Sequence, residues 1–358
     1  MQVVFRVDAG PQAGSGHFIR CRRLARTLQE RDVESGFITT TPQNPLLREA
    51  AEEDFSLIPL SDEERTDADA IVETLSRRAL AADVLVVDDH RSGFHARSFQ
   101  ETIQRSGLKL VMISFHHEPY FVADAVLNQN LLSLEHDYST ESKTDLLLGP
   151  RYAVLAQTYR MLRPDSPRVR DEVETVLVTF GGADHTRQTR KVVDALTRLE
   201  SPPERAIVVV GQMYSDPDIL GRHLDTLPAL NAELYVNTSR MPELMAAADL
   251  GISSGGLTAW EFACLGVPNV ILSTVEAQRQ TGQLLDRKGY AKYLGHHDDT
   301  TSEDIVRVLD RLISKPSRRR EMGRRSWELV DGRGTDRVAE YVHDLLTSSE
   351  AASSIKTD

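Results

Sequence analysis

Short apolar runs alternate with amphipathic stretches along most of this chain. In the first half the runs fall at residues 2–7, 35–39, 55–59, 83–88, 109–114 and 124–127, and each has the length of a strand buried on both faces. Between them apolar residues recur at three- and four-residue spacing, as in Leu24 and Leu28 and then Ile71, Leu75 and Leu80, which predicts helices. Strand and helix in strict alternation imply parallel sheets covered by helices. The pattern then begins again. Residues 175–180 form an apolar run that ends in a glycine turn and is followed by a helix bearing Val192, Val193, Leu196 and Leu199, and further strands are expected at 206–210, 233–236, 249–252, 269–273 and 291–294.

The segment 163–170, rich in proline and charge, reads as a linker between the two halves. The expected division is therefore an N-terminal α/β domain over 1–160, a linker at 161–172, a second α/β domain over 173–347 and a disordered tail of serine, alanine and charge at 348–358. The length of 358 residues agrees, because a single core rarely grows beyond about 250–300 residues. The basic run 318–325 lies beside Trp327, Leu329 and Val330 and is expected to be the solvated face of a helix.

A net charge of −12 argues against a nucleic-acid partner, which needs a basic face. A small anionic ligand stays possible, since one cluster of backbone N–H groups can hold it. Cys21 and Cys264 lie far apart among apolar neighbours and have no zinc spacing, so buried free thiols and a reducing, cytoplasmic setting are expected. No stretch approaches the 18 or so uninterrupted apolar residues of a membrane span. No integral membrane segment is expected, and a monomer or weak dimer is the expected state.

Two turns carry candidate chemistry. The first strand, ending at Asp8, leads into Gly14-Ser15-Gly16-His17, where glycines allow close backbone approach to a ligand and His17 in the first helical turn can face the same ligand. The alternative is an ordinary strand-to-helix turn, since GxGH is not the dinucleotide fingerprint. The second is Ser253-Ser254-Gly255-Gly256-Leu257-Thr258 at the end of an apolar run, with Glu261 three residues beyond Thr258. Its N–H groups can hold a diphosphate, and Glu261 can accept from two ribose hydroxyls. The alternative is a capping box with Thr258 at the N-cap and Glu261 at N3.

Taken together, Gly14-Ser15-Gly16-His17, Leu147-Leu148-Gly149-Pro150-Arg151-Tyr152, Phe180-Gly181-Gly182-Ala183-Asp184, Met241-Pro242-Glu243-Leu244-Met245 and Gly255-Gly256-Leu257-Thr258-Ala259-Trp260-Glu261 resemble the PseG/SpsG family, over about residues 1–295. The resemblance implies a GT-B architecture, two Rossmann-like domains facing across a cleft. It implies a UDP-sugar substrate cleaved by inverting attack of water at C1, with His17 catalytic and no cofactor or metal. UDP would be held by Gly181, Gly182, Ser254, Gly255, Gly256, Leu257, Thr258 and Glu261. Asp8, Gly14, Gly16, His90 and Gln278 would lie on the sugar side. The chain departs from the family pattern where Asp88-Asp89-His90 replaces Asp-His-Tyr and Ala277-Gln278 replaces Asn-Gln. Two other readings stand beside hydrolysis: a GT-B glycosyltransferase with a UDP-sugar donor, and a UDP-sugar-binding protein without catalysis.

Overall fold

The structure is a computed structural model that describes residues 2–10, 15–77 and 82–354, with side chains described as far as 347. Gly14 and Leu80 lie outside the described residues. The chain divides into two units, Met1–Val154 with Arg333–Asp358, and Leu155–Gly332.

In the first unit seven parallel strands form one sheet: β1 (Val3–Arg6), β2 (Ser35–Thr39), β3 (Ser56–Pro59), β4 (Val84–Asp88), β5 (Lys109–Ile113), β6 (Ala125–Asn128) and β7 (Asp145–Leu148). Their spatial order is β3-β2-β1-β4-β5-β6-β7. Alternation along the strands supplies two cores. Val3, Phe5, Val84 and Val86 point into one; Val4, Leu85 and Val87 point into the other. Strands buried on both faces have to be apolar throughout, which is why the runs stood out in the sequence. Strand β7 was not expected, because only three leucines follow Asp145 and the run is too short to declare itself.

The second unit repeats the plan with β8 (Thr175–Thr179), β9 (Arg205–Val210), β10 (Asn231–Val236), β11 (Leu250–Ser253), β12 (Asn269–Ser273) and β13 (Lys292–His296). These strands are parallel in the order β10-β9-β8-β11-β12-β13. In each sheet the order reverses beside the first strand, between β1 and β4 and between β8 and β11. Connections leave in opposite directions at such a point, so the loops at the strands' carboxyl ends part and leave room for a ligand.

Four expectations need correction. The C-terminal helix Gly334–Ser354 packs Val338, Ala339, Val342 and Leu346 into the core of the first unit, not the second. It also continues through 348–354, expected to be disordered; adding turns to a packed helix is cheap once it has nucleated. Residues 355–358 lie outside the described residues. The expected linker 161–172 belongs to the second unit, where Arg163 donates to the carbonyls of Cys264, Trp327 and Val330 and stacks 3.9 Å over Trp327. In the basic helix Pro316–Leu329, Arg319 is fully buried and donates to the carbonyls of Leu312, Ile313, Arg170 and Asp171. Arg320, Arg324 and Arg325 do pair with surface carboxylates. Both cysteines are free and buried.

Candidate active site

At the reversal point of the first sheet, helix α1 (Gly16–Gln29) starts beside the end of β4. Helical spacing puts His17, Arg20 and Cys21 on one face, and all three meet Asp88, the last residue of β4. His17 Nδ1 lies 2.6 Å from Asp88 Oδ1. Arg20 grips the same carboxylate with two nitrogens, Nε on Oδ2 and Nη2 at 2.5 Å from Oδ1, and the Cys21 thiol lies 3.5 Å from Oδ2. Burial pushes the Asp88 carboxyl upward, but the charges of Arg20 and then His17, with their hydrogen bonds, outweigh this and hold it down to about 2. An ionised carboxylate only accepts, so His17 Nδ1 carries a proton, and in the neutral ring the free lone pair is therefore on Nε2. The His17 side chain is 16% exposed while Asp88 is sealed from solvent. The arrangement is a base whose tautomer is fixed from behind.

Around it stand His90, with ring centroid 5.6 Å from that of His17, and Phe115 at 5.9 Å. Burial, followed by the charge of His17, lowers the pKa of His90. Gly16 opens α1 and has open space where a Cβ would be. Asp8 does not stand open on the sugar side. Arg6, Thr39, the Thr40 amide and Arg91 occupy its oxygens at 2.8–3.1 Å, so it braces the loops after β1 and β4. Neither Asp88 nor Asp89 presents a bare metal ligand, since Asp89 accepts from Arg91 Nη1 at 2.5 Å and from its amide at 2.9 Å. Among the described residues the side chains of His296, His297 and Asp298 converge closely enough to hold one ion, with the carboxylate 3.5 and 3.2 Å from the two imidazoles.

The second unit has its own turns at its reversal point. Helix α2 (Leu257–Leu265) follows β11 with Gly256 as N-cap and no side-chain cap. Thr258 is thus the second helical residue, and the capping-box alternative does not hold. No side chain caps these first amides, and the Ala259 amide donates to the Gly256 carbonyl at 3.1 Å. Ser254 and Gly255 are buried, whereas Gly256, Leu257 and Thr258 are half-buried. Gln278 lies over this turn: a Cβ on Gly255 would sit 3.2 Å from its Cβ, and one on Gly256 would sit 3.6 Å from its Nε2. The Gln278 side-chain oxygen Oε1 accepts from the Thr274 amide at 3.1 Å. Glu261 is buried on the same helix. Gly181 follows β8 at φ +79°, a conformation that favours glycine, and nothing lies within 4 Å of the place of its Cβ.

His17, Gly16 and His90 are therefore grouped in the first unit. Gly255, Gly256, Leu257, Thr258 and Gln278 are grouped in the second. The roles of Asp88 and Arg20 were not foreseen. The available signal was an acidic residue closing an apolar strand together with the His-x-x-Arg spacing, but pairing the two requires knowing that β1 and β4 are neighbours.

Two α/β units with all-parallel sheets define the GT-B class of fold. The MurG crystal structure from Acinetobacter baumannii superposes with a TM-score of 0.68 at 15% identity, covering 96% of this chain and all of that one. Residues 175–339 match the glycosyltransferase family 28 C-terminal domain. The spore coat polysaccharide biosynthesis protein SpsG of Bacillus subtilis is 26% identical over 96% of this chain and 98% of its own. The UDP-2,4-diacetamido-2,4,6-trideoxy-beta-L-altropyranose hydrolase of Campylobacter jejuni is 21% identical over 81% of this chain and 98% of its own. The chain's homologues thus include SpsG and the diacetamido-altropyranose hydrolase, which supports the resemblance to the PseG/SpsG family.

Proposed function

We propose that this protein is a nucleotide-sugar hydrolase that converts a UDP-linked acetamido or diacetamido deoxy sugar to UDP and the free sugar, with inversion at C1, in the making of a surface polysaccharide or nonulosonic acid. The observation that carries this reading is the His17–Asp88 contact, which leaves Nε2 of an accessible imidazole as a base. His17 Nε2 takes a proton from water as the water oxygen bonds to C1. The C1–O bond breaks, its electron pair leaves with the diphosphate, and the proton passes from His17 to solvent. The uncapped N-terminus of α2 suits the departing diphosphate, and Glu261 suits the ribose hydroxyls. On the sugar side, His90 beside His17 and Gln278 beside Gly255 and Gly256 are the residues assigned to touch the substrate.

The second reading is transfer, favoured by the family 28 domain at 175–339. The same imidazole would then deprotonate an acceptor hydroxyl instead of water. One experiment separates these and also a binding-only role: UDP release is followed from UDP-linked acetamido sugars with and without hydroxyl acceptors. Release without an acceptor, lost by about 10²–10⁴-fold in His17→Ala with UDP affinity retained, is the expected result. Release that requires an acceptor establishes transfer. UDP-sugar binding with no turnover under either condition leaves a binding protein.

A further inference from the structure

We propose that Arg20 is a positioning residue for the base: by neutralising Asp88 it lets that carboxylate orient His17 without trapping the imidazole in its protonated form. This rests on His17 being the base of the proposed reaction. The geometry is that of a three-membered chain. Arg20 forks onto both oxygens of Asp88, and its Nη2 lies 3.2 Å from His17 Nδ1. Both nitrogens are donors, so they share Asp88 Oδ1, which His17 approaches to 2.6 Å. The Arg20 side chain is 8% exposed and that of Asp88 is sealed. At such burial a charge acts on its neighbours with little screening.

The consequence follows from charge balance. A buried aspartate alone beside an imidazole stabilises the imidazolium, because opposite charges at hydrogen-bond distance favour the charged form. The base would then be occupied by a proton at neutral pH. With Arg20 attached, the carboxylate and guanidinium sum to zero, yet the oxygen still accepts the Nδ1 proton and holds the tautomer. Orientation is retained and the electrostatic trap is removed. Other groups also face His17. His90 approaches from the loop after β4, with its ring centroid 5.6 Å from that of His17. Phe115, after β5, is uncharged. Burial chiefly lowers the pKa of His90, with His17, Arg91 and His116 adding to it, and Asp89, which opposes them there, is bound by Arg91. On α1 itself the Cys21 thiol is pushed well above its ordinary value by burial and then by Asp88, so it stays a neutral donor to Oδ2.

The test replaces Arg20 with Gln and, separately, with Lys, which keeps the charge but loses the fork. The pH profile of kcat/KM for UDP release is recorded for each. In Arg20→Gln the acid limb should move upward by about 1–2 pH units, so activity is lost on the acid side and recovered at alkaline pH; Arg20→Lys should return the limb toward the wild-type position. Equal loss at every pH with an unmoved limb overturns the proposal and leaves Arg20 as a structural ion pair. Should Arg20→Gln fail to fold, the Lys variant decides: its limb must stay near the wild type, and a limb displaced as far as a full loss of charge would give refutes the charge argument. Nitrogen-15 NMR of the His17 ring, assigned by its disappearance in His17→Gln, supplies a readout free of substrate. A higher titration midpoint in Arg20→Gln supports the proposal even if no UDP-sugar is turned over, in which case the hydrolase reading alone fails; an unchanged midpoint overturns it even in an active enzyme.

Discussion

Replacing Asp88 by Asn tests the centre of the site, because it exchanges an acceptor for a donor with almost no change of volume. In the native protein Oδ1 receives His17 and one arm of Arg20, and Oδ2 receives the other arm and the Cys21 thiol. An amide leaves one oxygen for these donors and sets an N–H₂ against another. Arg20 is then a buried cation without a counter-charge, which costs about 3–5 kcal/mol. For a unit of this size 1 kcal/mol corresponds to about 2–4 °C, so a fall in Tm of about 6–20 °C is expected. Catalysis suffers separately. The amide can satisfy itself on a His17 whose proton has moved to Nε2, and an imidazole in that tautomer cannot take a proton from water. In a serine-protease triad the same change lowers kcat by about 10⁴, and a loss of about 10²–10⁴ is expected here. UDP release is measured well below the variant's Tm, with calorimetric UDP affinity as the control, since Asp88 belongs to the first unit and the turn proposed to bind the nucleotide belongs to the second. A folded Asp88→Asn protein that binds UDP and works within tenfold of the wild type would refute both the fixed tautomer and His17 as base.

Glu261→Gln should weaken UDP binding about 10–100-fold, the worth of hydrogen bonds to a charged acceptor, and calorimetry reads this directly; unchanged affinity removes Glu261 from the nucleotide site. Gly251→Ala would place a Cβ 2.4 Å from the Phe262 ring, so thermal melts should show a loss of about 1–3 kcal/mol from overpacking, together with displacement of α2. The pKa values of His90 and His95 are lowered by burial, which His17 reinforces for His90 and His116 for His95. The unfolded chain therefore binds the extra protons, and stability from these groups is complete above their ordinary value of 6.5 and declines as pH falls below it. The fall in Tm on acidification through that range should be smaller in His95→Asn than in the wild type.

What could be read directly was whatever one segment controls alone. Every strand expected in the two main sheets is present within a residue or two, because a parallel strand covered on both faces must be apolar along its whole length, and that mark is local. The glycine turns were equally legible. Their backbone demands act over a few residues, as Gly181 at positive φ and the bare N-terminus of α2 show. The helix Gly334–Ser354 was assigned to the wrong half for the opposite reason. Its apolar stripe calls for burial but cannot say against which sheet, and only the chain's return beside α1 and β4 answers that.

The active-site candidate divides along the same line. Sequence alone singled out His17, because a histidine in the first turn after a glycine loop is conspicuous wherever the chain goes. It noted Asp88, which lies 71 residues away, only within Asp88-Asp89-His90, and it did not single out Arg20. Neither has a marked local context. Their roles exist only because β4 pairs with β1, bringing a strand end against a helix start and sealing the Arg20–Asp88 ion pair from water. Distances of a few ångströms in a dry interior make those groups a single electrostatic unit, and strand order is the property that a linear pattern of polar and apolar residues does not encode.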